Sequence, residues 1–145
     1  METQTLSQQT TQLPKALRDW SEKFRAVSDE DVELQAHGKF YSCSFLLDMG
    51  ERRILVRMNR GKVDGLFMDP EPLEERYQFA LRASPDTWKN FATPIPPPMF
   101  HGIWAATFRK DMKLEGDILV LMQNLRELTR HLELLRQTGV PLTLH

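Results

Sequence analysis

His101 is the side chain best suited by type and setting to do chemistry. It follows the run Pro94-Ile95-Pro96-Pro97-Pro98 at the start of a predicted helix, among Phe100, Ile103 and Trp104. An imidazole there could act as a general base or hold the polar head of an apolar ligand. As a residue of a helix N-terminus it could also be partly exposed and do neither. His37, His131 and His145 have no spacing that joins them to it, and Cys43 is the single cysteine, so neither a metal-ligand set nor an internal disulfide is expected. Asp69, Glu115, Asp117 and Arg109 could gather as a carboxylate and cation cluster, although Asp117 at a helix start also reads as a cap. The acidic run Ser28-Asp29-Glu30-Asp31 reads as a solvated connection, because adjacent carboxylates converge poorly on a cation. The sequence holds no glycine-rich phosphate loop, nucleophile elbow or His-Glu-x-x-His pair, and no cofactor is expected.

The elements that must position these groups follow from periodicity. Leu13, Leu17, Trp20, Phe24 and Val27 fall at three- and four-residue steps, which predicts a helix from about Pro14 to Val27. Tyr41, Cys43, Phe45 and Leu47 then alternate with Ser42, Ser44 and Leu46, the two-residue repeat of a strand. Turns at Asp48-Met49-Gly50-Glu51 and Asn59-Arg60-Gly61-Lys62 bring back strands at 53–58 and 63–68, a three-stranded meander. Five cations, Arg52, Arg53, Arg57, Arg60 and Lys62, sit on this hairpin and its turns. They could dock an anionic headgroup or partner, or simply form the solvated face of the meander.

Pro70 and Pro72 interrupt the sheet, and a fourth strand follows with Tyr77, Phe79, Leu81 and Ala83 on one face. Ser84 as N-cap and Pro85 at the first helical position start a short helix that puts Trp88 and Phe91 together. A stiff proline segment leads to an apolar helix with Met99, Phe100, Ile103, Trp104 and Phe108. A short strand before Gly116 precedes a last helix, with Ile118, Leu121, Met122, Leu125, Leu128, Leu132 and Leu135 as its stripe and Gly139 and Pro141 at its end.

These elements supply more large apolar side chains than a thin layer of helices on a sheet needs. Phe45, Phe67 and Phe79 come from strands, Trp88 and Phe91 from the short helix, and Met122 and Leu125 from the last one. With Met99, Phe100, His101, Ile103, Trp104 and Phe108 they are the candidate lining of an apolar pocket. Aromatic residues at these spacings also make ordinary core, and methionines fill gaps as readily as they line variable cavities.

Composition sets the class. The chain has 145 residues, 41% hydrophobic, with a formal charge of -1. That fits one compact α+β domain from residue 13 to residue 145, preceded by a polar, disordered lead-in over residues 1–12. The balance of charge gives no reason to expect nucleic acid as a partner, and no apolar run reaches the ~20 residues that span a bilayer. A cytoplasmic protein is the expectation.

From Ser84 to Thr129 the chain resembles the C-terminal half of sterol carrier protein type 2 domains. The order is Asp86-Thr87-Trp88 at a helix start, then a helix with aromatic residues. The short strand Met112-Lys113-Leu114-Glu115-Gly116-Asp117 and a terminal amphipathic helix from Ile118 follow. The meander from Gly38 to Met68 agrees with that family's sheet. The chain departs from it at Pro94 to Phe100, where the family has a simpler connection.

The resemblance implies a twisted, mostly antiparallel sheet of about five strands covered by helices. It also implies a lipid or other hydrophobic small molecule held in an apolar tunnel between the layers. Two other readings stay open: a cofactor-independent isomerase or cyclase that uses His101 on a hydrophobic metabolite, and an accessory domain that buries its aromatic surplus in a homodimer.

Overall fold

The structure, a computed structural model, describes residues 14–71, 76–93 and 111–142. Helix α1 (Lys15–Glu30) opens the described chain and buries Leu17, Trp20 and Phe24 of the predicted stripe, together with Ser28, which the sequence places in a solvated connection. It continues through the acidic run that reads in sequence as a connection. Asp31 ends it and caps a second, six-residue helix, α2 (Val32–His37), accepting from the Leu34 amide at 2.9 Å. Arg130 donates to the same carboxylate through Nε at 3.0 Å and Nη2 at 2.7 Å, and these bonds hold its pKa below the usual carboxylate range. A 3-10 turn (Gly38–Phe40) leads into the sheet.

Strands β1 (Ser44–Asp48), β2 (Arg53–Asn59) and β3 (Lys62–Met68) form the predicted antiparallel meander. Strand β4 (Phe79–Arg82) then pairs with β1 in parallel, Phe45 opposite Phe79 and Leu47 opposite Leu81. Strand β5 (Lys113–Gly116) closes the edge antiparallel to β4, so the order is β3-β2-β1-β4-β5. The parallel pair makes the sheet mixed but mostly antiparallel, and the fold is α+β.

Helix α3 (Pro85–Phe91) starts as the sequence predicts, with the Ser84 side chain accepting from the Thr87 amide. The terminal stripe is broken into three helices: α4 (Ile118–Gln123), α5 (Leu125–Glu133) and α6 (Leu135–Thr138). Asn124 makes the first break, its side-chain amide donating to the Val120 carbonyl at 2.9 Å. Asp117 caps α4 by accepting from the Val120 amide at 3.1 Å.

One face of the sheet meets the helices. Phe45, Leu47, Ile54, Val56, Phe79 and Leu81 are buried there with Trp20, Phe24, Trp88, Leu121, Leu128 and Leu132. The other face holds a smaller cluster, Leu46, Leu55 and Ala80, against which Phe67 and Tyr77 pack. Tyr77 therefore departs from the predicted alternation. The strand begins only at Phe79, and the bend at Gln78 turns the phenol to the far face, where its hydroxyl accepts from Arg82 Nη2 at 2.7 Å.

Gly116 explains the Glu-Gly-Asp signature in physical terms. Its φ of 94° lies in the left-handed region, and a Cβ there would sit 2.7 Å from the Gln78 carbonyl oxygen and 2.9 Å from Phe79 Cα. Only glycine lets β5 close on β4 before the turn into α4. Gly116→Ala is expected to lose about 2–3 kcal/mol from strain and displacement of backbone that cannot yield. Urea unfolding checks this, and a midpoint equal to the wild type would refute it.

Candidate functional site

The candidate site is the apolar layer between the sheet and the helices. Phe45 and Phe79, neighbours across the parallel pair, stack with centroids 5.4 Å apart. A second column runs from α1, where Trp20 stacks on Phe24 at 5.1 Å and Phe24 stacks on His131 at 5.1 Å. His131 joins the two columns, because Phe45 meets its ring edge-on at 6.0 Å. Trp88 and Phe91 lie in the same core in an edge contact, centroids 6.3 Å apart, and the Trp88 indole N–H donates to the Asp48 carbonyl at 2.9 Å.

His131 is the one polar ring in this column and is fully buried. Its Nε2 is 2.9 Å from Ser28 Oγ, and its Nδ1 is 3.1 Å from the Tyr41 hydroxyl. Burial pushes the imidazole pKa down to about 4 and the Tyr41 phenol well above its ordinary value. Each ring nitrogen meets a hydroxyl that can donate or accept, so the neutral ring donates to one and accepts from the other. Both ring nitrogens are thus taken, and the neutral ring serves as a polar tie among α1, the residues before β1, and α5. Sequence reasoning does not single it out. Its signal is a histidine three residues after Leu128 and four before Leu135, on the stripe itself.

The other expected site residues divide into three groups. Phe45, Phe79, Trp88 and Phe91 share the inner layer, and Leu125 packs against it half-buried. Phe67 lies on the opposite face, where Arg57 stacks over its ring at 5.3 Å, and Met122 is 47% exposed on α4. Met99, Phe100, His101, Ile103, Trp104, Phe108 and Arg109 lie outside the described residues.

The expected carboxylate cluster is not assembled. Asp69 follows β3 at one edge of the sheet and accepts from the Arg53 amide at 2.9 Å. Glu115 stands on β5 at the opposite edge and pairs with Arg82 at 2.6 Å, while Asp117 caps its helix. The same Arg82 also reaches Asp48 at 2.6 Å, so one guanidinium ties β1, β4 and β5 together.

Among the described residues no group of three or more His, Cys, Asp or Glu side chains could hold a metal ion. No described helix is long and apolar enough to cross a membrane. Burial pushes the Cys43 thiol up to about 12, which leaves it an inert core residue. A cleft of about 180 Å³ between α2 and α5 is lined by Glu33, Leu34, His37, Arg126, Glu127 and Glu133. It is polar and separate from the aromatic layer.

A mixed five-stranded sheet with its helices on an aromatic inner face defines the class as an α+β sterol-carrier-type fold. Solved structures agree with that class. Sterol carrier protein 2 superposes with a TM-score of 0.66 at 15% identity, over 82% of this chain and 95% of that one. A conserved hypothetical protein of Thermus thermophilus, described as possibly a sterol carrier protein, gives 0.57 at 16% identity, over 81% of this chain and 86% of that one. No family model and no curated protein matches the sequence. The chain thus has the sterol carrier protein 2 fold.

Proposed function

We propose that the protein binds a lipid or similar hydrophobic small molecule between the sheet and its helices. The observation that supports this reading is the sterol-carrier fold spanning 82% of the chain. Phe45, Phe79, Trp88 and Phe91, buried in one core on that face of the sheet, are consistent with it. We assign the lining to these residues and Leu125, together with the apolar segment that carries Met99, Phe100, Ile103, Trp104 and Phe108. The polar end of the ligand is assigned to His101 or Arg109. Phe67 is left out of the lining because its ring lies on the other face of the sheet.

A fluorescent fatty acid should bind saturably at one site per chain, and gentle native mass spectrometry should find a co-purified lipid-like adduct. Trp104→Asp is expected to weaken binding at least tenfold, since one charge in an apolar pocket costs more than the ~1.4 kcal/mol that a factor of ten requires. Phe67→Leu should leave affinity unchanged. Absence of saturable binding, or full affinity in a folded Trp104→Asp protein, would refute the assignment.

A further inference from the structure

Five cations stand on the β2–β3 hairpin and its turns, and the structure sorts them. Arg52 faces Asp69 at 3.7 Å, Arg53 reaches the Pro70 carbonyl, Arg57 covers the Phe67 ring, and Lys62 Nζ donates to the Asp29 carbonyl at 2.8 Å. The Arg60 side chain, at the tip of the hairpin, has no partner among the described residues. Beside it stands the 3-10 turn, whose Phe40 is 83% exposed. Lys39 lies with its Nζ 5.5 Å from that ring, and no described carboxylate pairs with Lys39 or Arg60. Lys39, Phe40, Ser42 and Arg60 together line one shallow, open concavity.

This tip is built to be rigid. Arg60 and Gly61 have φ of 50° and 83°, the paired left-handed residues of a tight hairpin turn. Gly38 and Gly61 touch backbone to backbone, since a Cβ on Gly38 would lie 2.9 Å from Gly61 Cα. The Gly61 amide donates to the Tyr41 carbonyl at 3.0 Å, and the Arg60 amide donates to Ser42 Oγ at 2.9 Å. Gln35 Nε2 donates to the Gly61 carbonyl at 2.9 Å. Two turns are locked together, and the aromatic ring is held away from the core.

We propose that this tip docks the protein on anionic phospholipid membranes, Phe40 entering the interfacial region while Lys39 and Arg60 meet lipid phosphates. A bilayer interface offers an apolar layer just beneath a plane of phosphates, and the tip presents an apolar ring beside two cations that no described carboxylate pairs with. One ring and two cations give weak, reversible attachment. The surface lies outside the interior layer, so the proposal stands whatever that layer holds.

Co-sedimentation of the full chain with phosphatidylcholine vesicles, with and without phosphatidylserine, tests it. The expected result is binding that requires phosphatidylserine and weakens with salt. Phe40→Ser should reduce it about tenfold, and Lys39→Glu with Arg60→Glu at least as much. Fatty-acid binding and the circular dichroism spectrum should stay unchanged in both variants. Three outcomes overturn it: no vesicle binding, binding untouched by the substitutions, or Phe40-dependent self-association in sedimentation in place of vesicle binding. The last would make the tip a contact between copies of the chain.

Discussion

Trp88→Ala is expected to lower the unfolding free energy by about 3–5 kcal/mol, the range for deleting a fully buried indole. Against the ~5–15 kcal/mol of an ordinary domain, that is a large share of the whole. In a chain of 145 residues it corresponds to a fall in Tm of about 10–15 °C. The indole fills the space between α3 and the inner face of the sheet, against Phe91, and its N–H donates to the Asp48 carbonyl at the end of β1. That carbonyl also accepts from the Ala83 amide at 3.0 Å, so it stays satisfied without Trp88. Packing therefore dominates the loss, and Trp88→Phe, which gives up the hydrogen bond but keeps a ring, should cost only about 1–2 kcal/mol. Differential scanning calorimetry of the two variants separates the contributions. A Tm within about 3 °C of the wild type for Trp88→Ala would mean that α3 does not close the core as described.

What can be read from the sequence is local. The stripe of α1, the two hairpin turns, the Ser84-Pro85 helix start and the Gly116-Asp117 turn each carry their signal within a few residues, and each is where it is expected. The parallel pairing of β1 with β4 joins segments more than thirty residues apart and has no local signature; hairpin logic alone gives only antiparallel neighbours. The run Ser28 to Asp31 reads as a solvated connection because the Arg130 that pairs with Asp31 is about a hundred residues away, although the Asp31 cap on Leu34 is itself local. The last helix reads as continuous because the leucine period passes through Asn124. What breaks it there is a side-chain hydrogen bond to its own turn. Of the candidate site, the inner aromatic positions on β1, β4 and α3 follow from alternation and helical spacing. Phe67 shows the limit: alternation says that it opposes Leu66 and Met68 but not which of the two faces meets the helices.

Acid is expected to destabilise the protein through His131, and the window follows from its pKa. The unfolded imidazole titrates near the model-peptide value of ~6.5, while the folded one is depressed to about 4 by burial. The unfolded state therefore binds the extra proton first, so stability is full above about pH 6.5, falls as pH drops below that, and levels off below about 4. The shift of roughly 2.5 units amounts to about 3 kcal/mol. Asp31 is the carboxylate that favours the charged ring, but Arg130 occupies it on two sides and it does not offset the desolvation. Tyr41 and Ser28 also face the ring, and Phe24 and Phe45 pack on it without offering any charge. Protonation makes both ring nitrogens donors, so whichever hydroxyl donated to the ring must turn and accept, and the charge stays desolvated. His131→Leu should be less stable than the wild type at about pH 7.5 by about 2–3 kcal/mol, because Tyr41 and Ser28 lose their partner in a buried site. It should also lose most of the decline between about pH 6.5 and 4.5. Urea unfolding of both proteins across that range provides the comparison, and an equal decline in the variant would assign the acid sensitivity to other groups.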